Sequence, residues 1–217
     1  MEKWRQTIIL FDLDGTLTDS AEGVIRSMQH MQEKMGIEKW ADEDLTFVVG
    51  PPLMKTFTED FAMDSETAEK ALVFFRERYT TVGLFENKVY PGVVEMLAAL
   101  KAKGKRMAVA TSKKEETAVR ILEHFDIAKY FEVIGGDNRA EGRDTKAKVI
   151  DYVLECMKAD KNDVIMVGDR KFDVEGAHAI GIPCIAVEYG YGDRAEFEAC
   201  GADCIAATAE DVANLLE

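Results

Sequence analysis

The sequence predicts an α/β protein: a doubly wound parallel sheet with an inserted all-helical domain. Ile8, Ile9, Leu10 and Phe11 form a short apolar run stopped by Asp12 and Gly15, the pattern of a strand buried on both faces. From Val89 onward, apolar runs of strand length alternate with helical periodicity. Such alternation implies parallel strands joined by right-handed helical crossovers. Between residues 18 and 85 the signals are helical and no alternating strand stands out, so this block reads as an insertion after the first strand. The expected division is an α/β core of residues 1–17 and 87–217 and a helical domain of residues 18–86.

Each element has its own signal. Val24, Ile25, Met28, Met31 and Met35 recur at helical spacing, and Gly36 supplies the stop. Helical signals resume over Asp42–Val49 and from Ser65 to Val82, with Gly50-Pro51-Pro52-Leu53 between them as a rigid turn. A helix is expected from Pro91 to Lys103, with proline near its start and Gly104 just past its end. Arg106–Ala110 reads as a strand ending at Thr111, and Ser112-Lys113-Lys114-Glu115 has the capping-box spacing of a helix that runs to Phe125. Phe131–Gly135 and Val164–Val167 read as strands on either side of a helix from Thr145 to Met157. Asp173–Ile180 reads as helix and Pro183–Val187 as strand, and Thr208-Ala209-Glu210-Asp211 caps the last helix.

Composition narrows the function. With 217 residues, 47% of them hydrophobic, the chain can build one ordinary core and a smaller second one. Its net charge of −14 argues against nucleic acid and anionic membranes as partners, because both are held by clustered Lys and Arg. No apolar run approaches the roughly 18 residues of a membrane span. The opening residues also lack the long apolar segment of a secretory signal. Cys156, Cys184, Cys200 and Cys204 lack the nearby histidine or second pair of a zinc site. They read as reduced thiols, and a cytoplasmic location is expected.

In open α/β sheets, ligands bind at the carboxyl ends of the strands, near the switch in strand order. Asp12, Asp14, Thr111 and Asp169 fall at such ends. Each has an ordinary reading alone: solvated loop aspartates, or hydroxyls that cap a helix. Asp173, opening a helix, reads by itself as an N-cap. Together, Asp12 and Asp14 from one strand and Asp169 and Asp173 from another supply hard oxygen ligands that suit Mg²⁺. Thr111 and Ser112, at a strand-to-helix junction, suit a phosphate. Lys146 follows Thr145 at an expected helix start, where a lysine opposes the helix dipole. A function would explain that choice, and removing Lys146 is then expected to leave the melting temperature level or slightly raised. Arg143 and Lys148 compete for the same role.

DLDGT at Asp12–Thr16, Thr111 after a strand, Lys146, and GDRKFD at Gly168–Asp173 resemble the four motifs of the haloacid-dehalogenase superfamily. The helical block resembles that family's cap domain, and the chain looks most like the phosphoglycolate phosphatase and bacterial 5′-nucleotidase branch. The resemblance implies a phosphatase that uses Mg²⁺ to hydrolyse a small phosphate monoester, of phosphoglycolate or nucleoside monophosphate type, through an aspartyl-phosphate. It implies Asp12 as nucleophile and Asp14 as general acid and base. It further implies Mg²⁺ held by the Asp12 carboxylate, the Asp14 carbonyl and Asp169, with Asp173 orienting a bound water. Thr111 and Lys146 would hold the phosphoryl oxygens. A sugar phosphomutase shares this nucleophile and acid, and a non-catalytic phospho-ligand sensor would share the fold. Thr16, where such mutases often carry Val, leans toward phosphatase. Expected partners are a small-molecule substrate alone, with no nucleic acid and no membrane, and the chain is expected to be a monomer.

Overall fold

A computed structural model describes residues 4–51 and 53–216, so Pro52 of the expected rigid turn lies outside the described residues. The chain divides into two compact units, Met1–Thr18 with Val89–Glu217, and Asp19–Lys88.

The first unit is built on β1 (Ile8–Phe11), whose four residues are all buried. The chain leaves this unit through β2 (Thr18–Asp19) and returns through β3 (Lys88–Val89), two short strands that pair with each other. Between them lies the second unit. It contains α1 (Ala21–Met35), the short α2 (Leu53–Lys55), which continues into a wide turn over Thr56–Asp60, and α3 (Ser65–Tyr79). Met28 and Met31 of α1 are buried, as are Leu45, Phe57, Ala68, Phe75 and Leu84. The expected helix over Asp42–Val49 is a 3₁₀ segment, Glu43–Val48. Gly36 ends α1 at φ 69°.

After β3 come α4 (Val93–Ala102), β4 (Arg106–Lys114), α5 (Glu115–His124), β5 (Val133–Asp137) and α6 (Lys146–Met157). The remainder is β6 (Val164–Gly168), α7 (Lys171–Ile180), β7 (Cys184–Val187), α8 (Arg194–Cys200), β8 (Cys204–Ala206) and α9 (Ala209–Leu215). Six strands form one sheet in the order β5-β4-β1-β6-β7-β8. The pairing is parallel throughout, for example Ile8 with Arg106 on one side and with Val164 on the other. This is the doubly wound α/β fold. The chain winds outward from β1 through β4 and β5, then returns to β6 and winds the other way. The reversal places a crevice at the carboxyl ends of β1, β4 and β6, where connecting chains diverge to opposite faces.

One sheet face packs Ile8, Leu10, Ala108, Ala110, Val164 and Met166 against Val149, Ile150 and Val153 of α6 and Val174 and Ala177 of α7. These two helices start beside the crevice, so their first turns present side chains to it.

Three local expectations are corrected. β4 does not end at Ala110 but runs to Lys114, where it pairs with Asp137 after a shift of register. The capping box therefore does not form: α5 starts after Lys114, and no side chain caps it. Strand pairing outweighs the local preference of Ser112 for a cap, because local propensities yield to tertiary context. Asp173 is not an N-cap either; α7 starts at Lys171 and Asp173 lies in its first turn, accepting from the Arg170 N–H at 3.0 Å. The expected cap of the last helix does form, with Thr208 and Asp211 bonded reciprocally.

Leu10 is fully buried in the central strand. Leu10→Ala is expected to destabilise the fold by about 2–5 kcal/mol, the cost of lost burial plus a cavity that close-packed neighbours do not fill. Thermal unfolding checks this; a melting temperature within a degree of the parent would show that the sheet relaxes around the gap.

Candidate active site

Asp12 follows β1 directly, and its N–H donates to Val167 O at 2.9 Å, which ties it to the end of β6. Leu13 O accepts from the N–H groups of Thr16, Leu17 and Thr18, so the chain turns back tightly after Asp12. Gly15 makes the turn possible. Its φ is +80°, and a Cβ there would lie 1.9 Å from Asp169 Oδ2. Any other residue would meet both the strain of the left-handed region and the Asp169 carboxylate.

The topology brings Asp12, Asp169 and Asp173 together, with carboxylate oxygens within 4.8 Å of one another. All three are buried. Burial, then the charges of Asp173 and Asp12, pushes the Asp169 carboxyl well above the usual range. Burial likewise pushes Asp173 up to about 6, against the pull of Lys146 and with the push of Asp12. Asp169 Oδ2 accepts from Tyr191 N–H at 2.8 Å, and Oδ1 accepts from the Thr16 hydroxyl at 3.2 Å.

Lys146 Nζ lies between two of these carboxylates, 3.0 Å from Asp12 Oδ1 and 2.8 Å from Asp173 Oδ1. It also donates to Ala110 O at 3.1 Å. Burial alone would lower its pKa, but Asp12 and Asp173 outweigh burial and hold it well above the ordinary lysine value. Close packing with α7 is required: a Cβ on Gly176 would lie 2.7 Å from the Lys146 side chain. The two competing cations lie elsewhere. Arg143 is bound to Glu115 and Glu141 and stacked 3.7 Å over the Tyr152 ring. Lys148 is exposed and paired with Asp144.

Asp14 stands apart from the three-carboxylate group. Its Oδ2 is 2.7 Å from Lys113 Nζ, while its buried Oδ1 has no hydrogen-bond partner among the described residues. Thr111 is buried, and its hydroxyl accepts from the Lys113 N–H at 3.2 Å. Ser112 is exposed on the β4 extension. Neither hydroxyl lies at a helix start.

The donor set fits a hard divalent cation. The oxygens of Asp12, Asp169 and Asp173 are close enough to share one. Among the described residues, the ion pairs of the site's four carboxyl groups are made with the ammonium groups of Lys113 and Lys146, so carboxyl groups outnumber cations there.

Residues 9–187 match the model of the haloacid dehalogenase-like hydrolases. The chain belongs to that family. Its relatives in the family carry several activities. It is 42% identical over 191 residues to the tyrosine-protein kinase PtkA of Mycobacterium tuberculosis, covering 88% of this chain and 64% of the kinase. The chain thus spans just under two thirds of the length of that relative. It is 38% identical over 191 residues to a 5′-nucleotidase of Pseudomonas aeruginosa, covering 88% of this chain and 86% of the nucleotidase. The crystal structure of a predicted phosphatase from Clostridium acetobutylicum superposes with a TM-score of 0.92 at 40% identity, covering 97% of this chain and 98% of that one.

Sequence reasoning missed two contributors. Lys113 was absorbed into the supposed capping box, although its place two residues past a buried strand was a usable signal. Glu188-Tyr189-Gly190-Tyr191 follows β7, and a Cβ on Gly190 would lie 2.3 Å from Gly15 O and 2.4 Å from the Asp169 side chain, so the glycine is the signal of a close backbone approach to the site.

The stability expectation for Lys146 is also corrected. Removing it leaves Asp12 and Asp173 as uncompensated buried charges, and breaking a buried pair from one side costs roughly 3–5 kcal/mol. Lys146→Ala is therefore expected to lower the melting temperature by many degrees, while Lys148→Ala changes it little. Similar small shifts for both would show that the Lys146 contacts are not structural.

Proposed function

We propose that the chain is a Mg²⁺-dependent phosphatase that hydrolyses a small phosphate monoester, of nucleoside monophosphate or phosphoglycolate type. The carrying observation is the setting of Asp12. Its Oδ1 is held by Leu13 N–H at 2.7 Å and by Lys146, while its Oδ2 has no hydrogen bond among the described residues. Its side chain is 13% exposed, against 1% for Asp173. A nucleophile needs one oriented, reachable oxygen, and Asp12 has it.

In the first step the Asp12 carboxylate forms a bond to phosphorus and the bond from phosphorus to the ester oxygen breaks. Asp14, which takes up a proton from solvent before this step, gives it to the departing oxygen. In the second step Asp14 takes a proton from water, the water oxygen bonds to phosphorus, and the aspartyl–phosphorus bond breaks. Inorganic phosphate leaves and Asp12 is restored. Dividing one hydrolysis into two displacements lowers the barrier of each. Lys146 keeps the nucleophile in place and sets a positive charge beside the transferring group. Most of the catalysis is then positioning and charge neutralisation, as phosphoryl transfer requires. Asp12, Asp169 and the Asp14 carbonyl would hold Mg²⁺, with Asp173 behind them; the ion supplies positive charge against the phosphoryl oxygens. The free cysteines support a reducing, cytoplasmic setting.

The identity to a tyrosine-protein kinase favours a second reading, in which a tyrosine hydroxyl rather than water accepts the phosphoryl group. Release of inorganic phosphate, against label retained on tyrosine, separates the two.

Asp12→Asn is expected to keep the fold and lose essentially all turnover of p-nitrophenyl phosphate, because an amide forms no acyl-phosphate. Appreciable activity in the folded variant would sink the mechanism. EDTA is expected to abolish turnover and Mg²⁺ to restore it, with Ca²⁺ a poor substitute because its coordination is larger and looser. Turnover indifferent to EDTA would rule out the acidic cluster as a metal site.

A further inference from the structure

We propose that Lys113 is a substrate-binding residue, held on Asp14 in the free site and transferred to the phosphoryl group when a phosphate ester binds. The inference rests on the phosphatase reading and deepens it.

It begins with a limit on Lys146. An ammonium group has three donors. Those of Lys146 face Asp12, Asp173 and the Ala110 carbonyl at 2.8–3.1 Å. Asp173 and Lys146 are 1% and 5% exposed as side chains, so these bonds hold the buried carboxylates of the free site. With all three of its donors engaged there, Lys146 leaves room for a second cation that exchanges its partner for an incoming phosphoryl group.

Lys113 is placed differently. Its partner Asp14 is the more open carboxylate, with a side chain 18% exposed against 10% for Lys113. Asp14 is also the group that must turn toward a leaving oxygen in the proposed reaction. When it does, the Lys113 ammonium loses its carboxylate at the moment a phosphate dianion arrives nearby. Exchanging one anionic partner for another keeps the lysine paired throughout.

The backbone is built to aim this side chain. β4 shifts register between Ala110 and Lys114, and irregularities of this kind re-aim side chains beside active sites. The Thr111 hydroxyl accepts from the Lys113 N–H, which fixes the backbone at the residue that carries the ammonium. Thr111 thus serves the phosphoryl group partly by positioning Lys113.

The alternative is a structural ion pair that substrate never touches. Calorimetric titration of the chain with inorganic phosphate, at fixed Mg²⁺, separates the two. Lys113→Met is expected to raise the phosphate Kd at least about tenfold, the loss expected for a charge-assisted hydrogen bond. Lys113→Arg should recover most of that loss. Asp14→Asn then completes a double-mutant cycle. With Lys113 present, this change removes a repulsion and releases the lysine; with Met at position 113 it removes the repulsion alone. Asp14→Asn should therefore tighten phosphate binding more in the parent than in Lys113→Met. Equal tightening in both backgrounds, or a Kd within about twofold of the parent for Lys113→Met together with a lowered Tm, would overturn the proposal. Lys113→Gln replaces Lys113→Met if the latter does not fold. Hydrolysis of p-nitrophenyl phosphate by the parent is measured alongside. Turnover without the expected Kd changes sinks the proposal alone, and no turnover sinks the phosphatase reading.

Discussion

The structure depends on keeping carboxylates together at the end of a buried sheet. Asp12, Asp169 and Asp173 share a space of less than 5 Å, with little water to screen them. Like charges so placed raise one another's proton affinity. The surrounding design answers that repulsion. Lys146 is driven between two of the carboxylates, and backbone N–H groups of Leu13, Arg170 and Tyr191 each donate to one. Gly15 gives up its side chain so that Asp169 has room. None of these features improves the packing of the fold. They make sense as support for the site proposed above for a divalent cation and a phosphate ester.

That acidity is less of an obstacle than the net charge of −14 implies. Over distances beyond about 10 Å, surface charges are screened by salt. A phosphate dianion inside the crevice responds to the nearest charges, and these include two lysines brought in by β4 and α6. The acidic surface and the two lysines of the site act at different ranges.

Most of the fold was legible because it rests on strong periodicities. Ile8–Phe11 and Val164–Gly168 are continuous apolar runs, which only strands covered on both faces sustain. The Asp pairs after them were legible as well, since a carboxylate straight after such a run has few structural reasons to be there. What stayed hidden depended on tertiary contacts. Ser112-Lys113-Lys114-Glu115 has sound capping chemistry, yet β5 captures it as strand. α8 and β8 are seven and three residues long, too short for periodicity to stand out. Lys146 was found through its unfavourable place on the helix dipole. The dipole argument pointed to a lysine that the fold does bring to the buried carboxylates, but its stability expectation is reversed, because two buried ion pairs and a hydrogen bond outweigh a dipole contact of about 0.3–1 kcal/mol.

The two lysines then divide a task that motif reasoning gives to one. A cation that holds a nucleophile must stay bonded to it. A cation that grips a substrate must be free to change partners. One ammonium with three donors cannot satisfy two buried carboxylates, a carbonyl and an incoming phosphate at once. Placing the second cation on β4, beside Asp14, the proposed acid that lies outside the buried group, resolves the conflict. The acid's own anion keeps that lysine solvated by charge until a phosphate replaces it. In the proposed mechanism, phosphate binding and release of Asp14 then become one event, so that the freed carboxylate takes up a proton from solvent and meets the leaving oxygen only when there is a substrate to protonate.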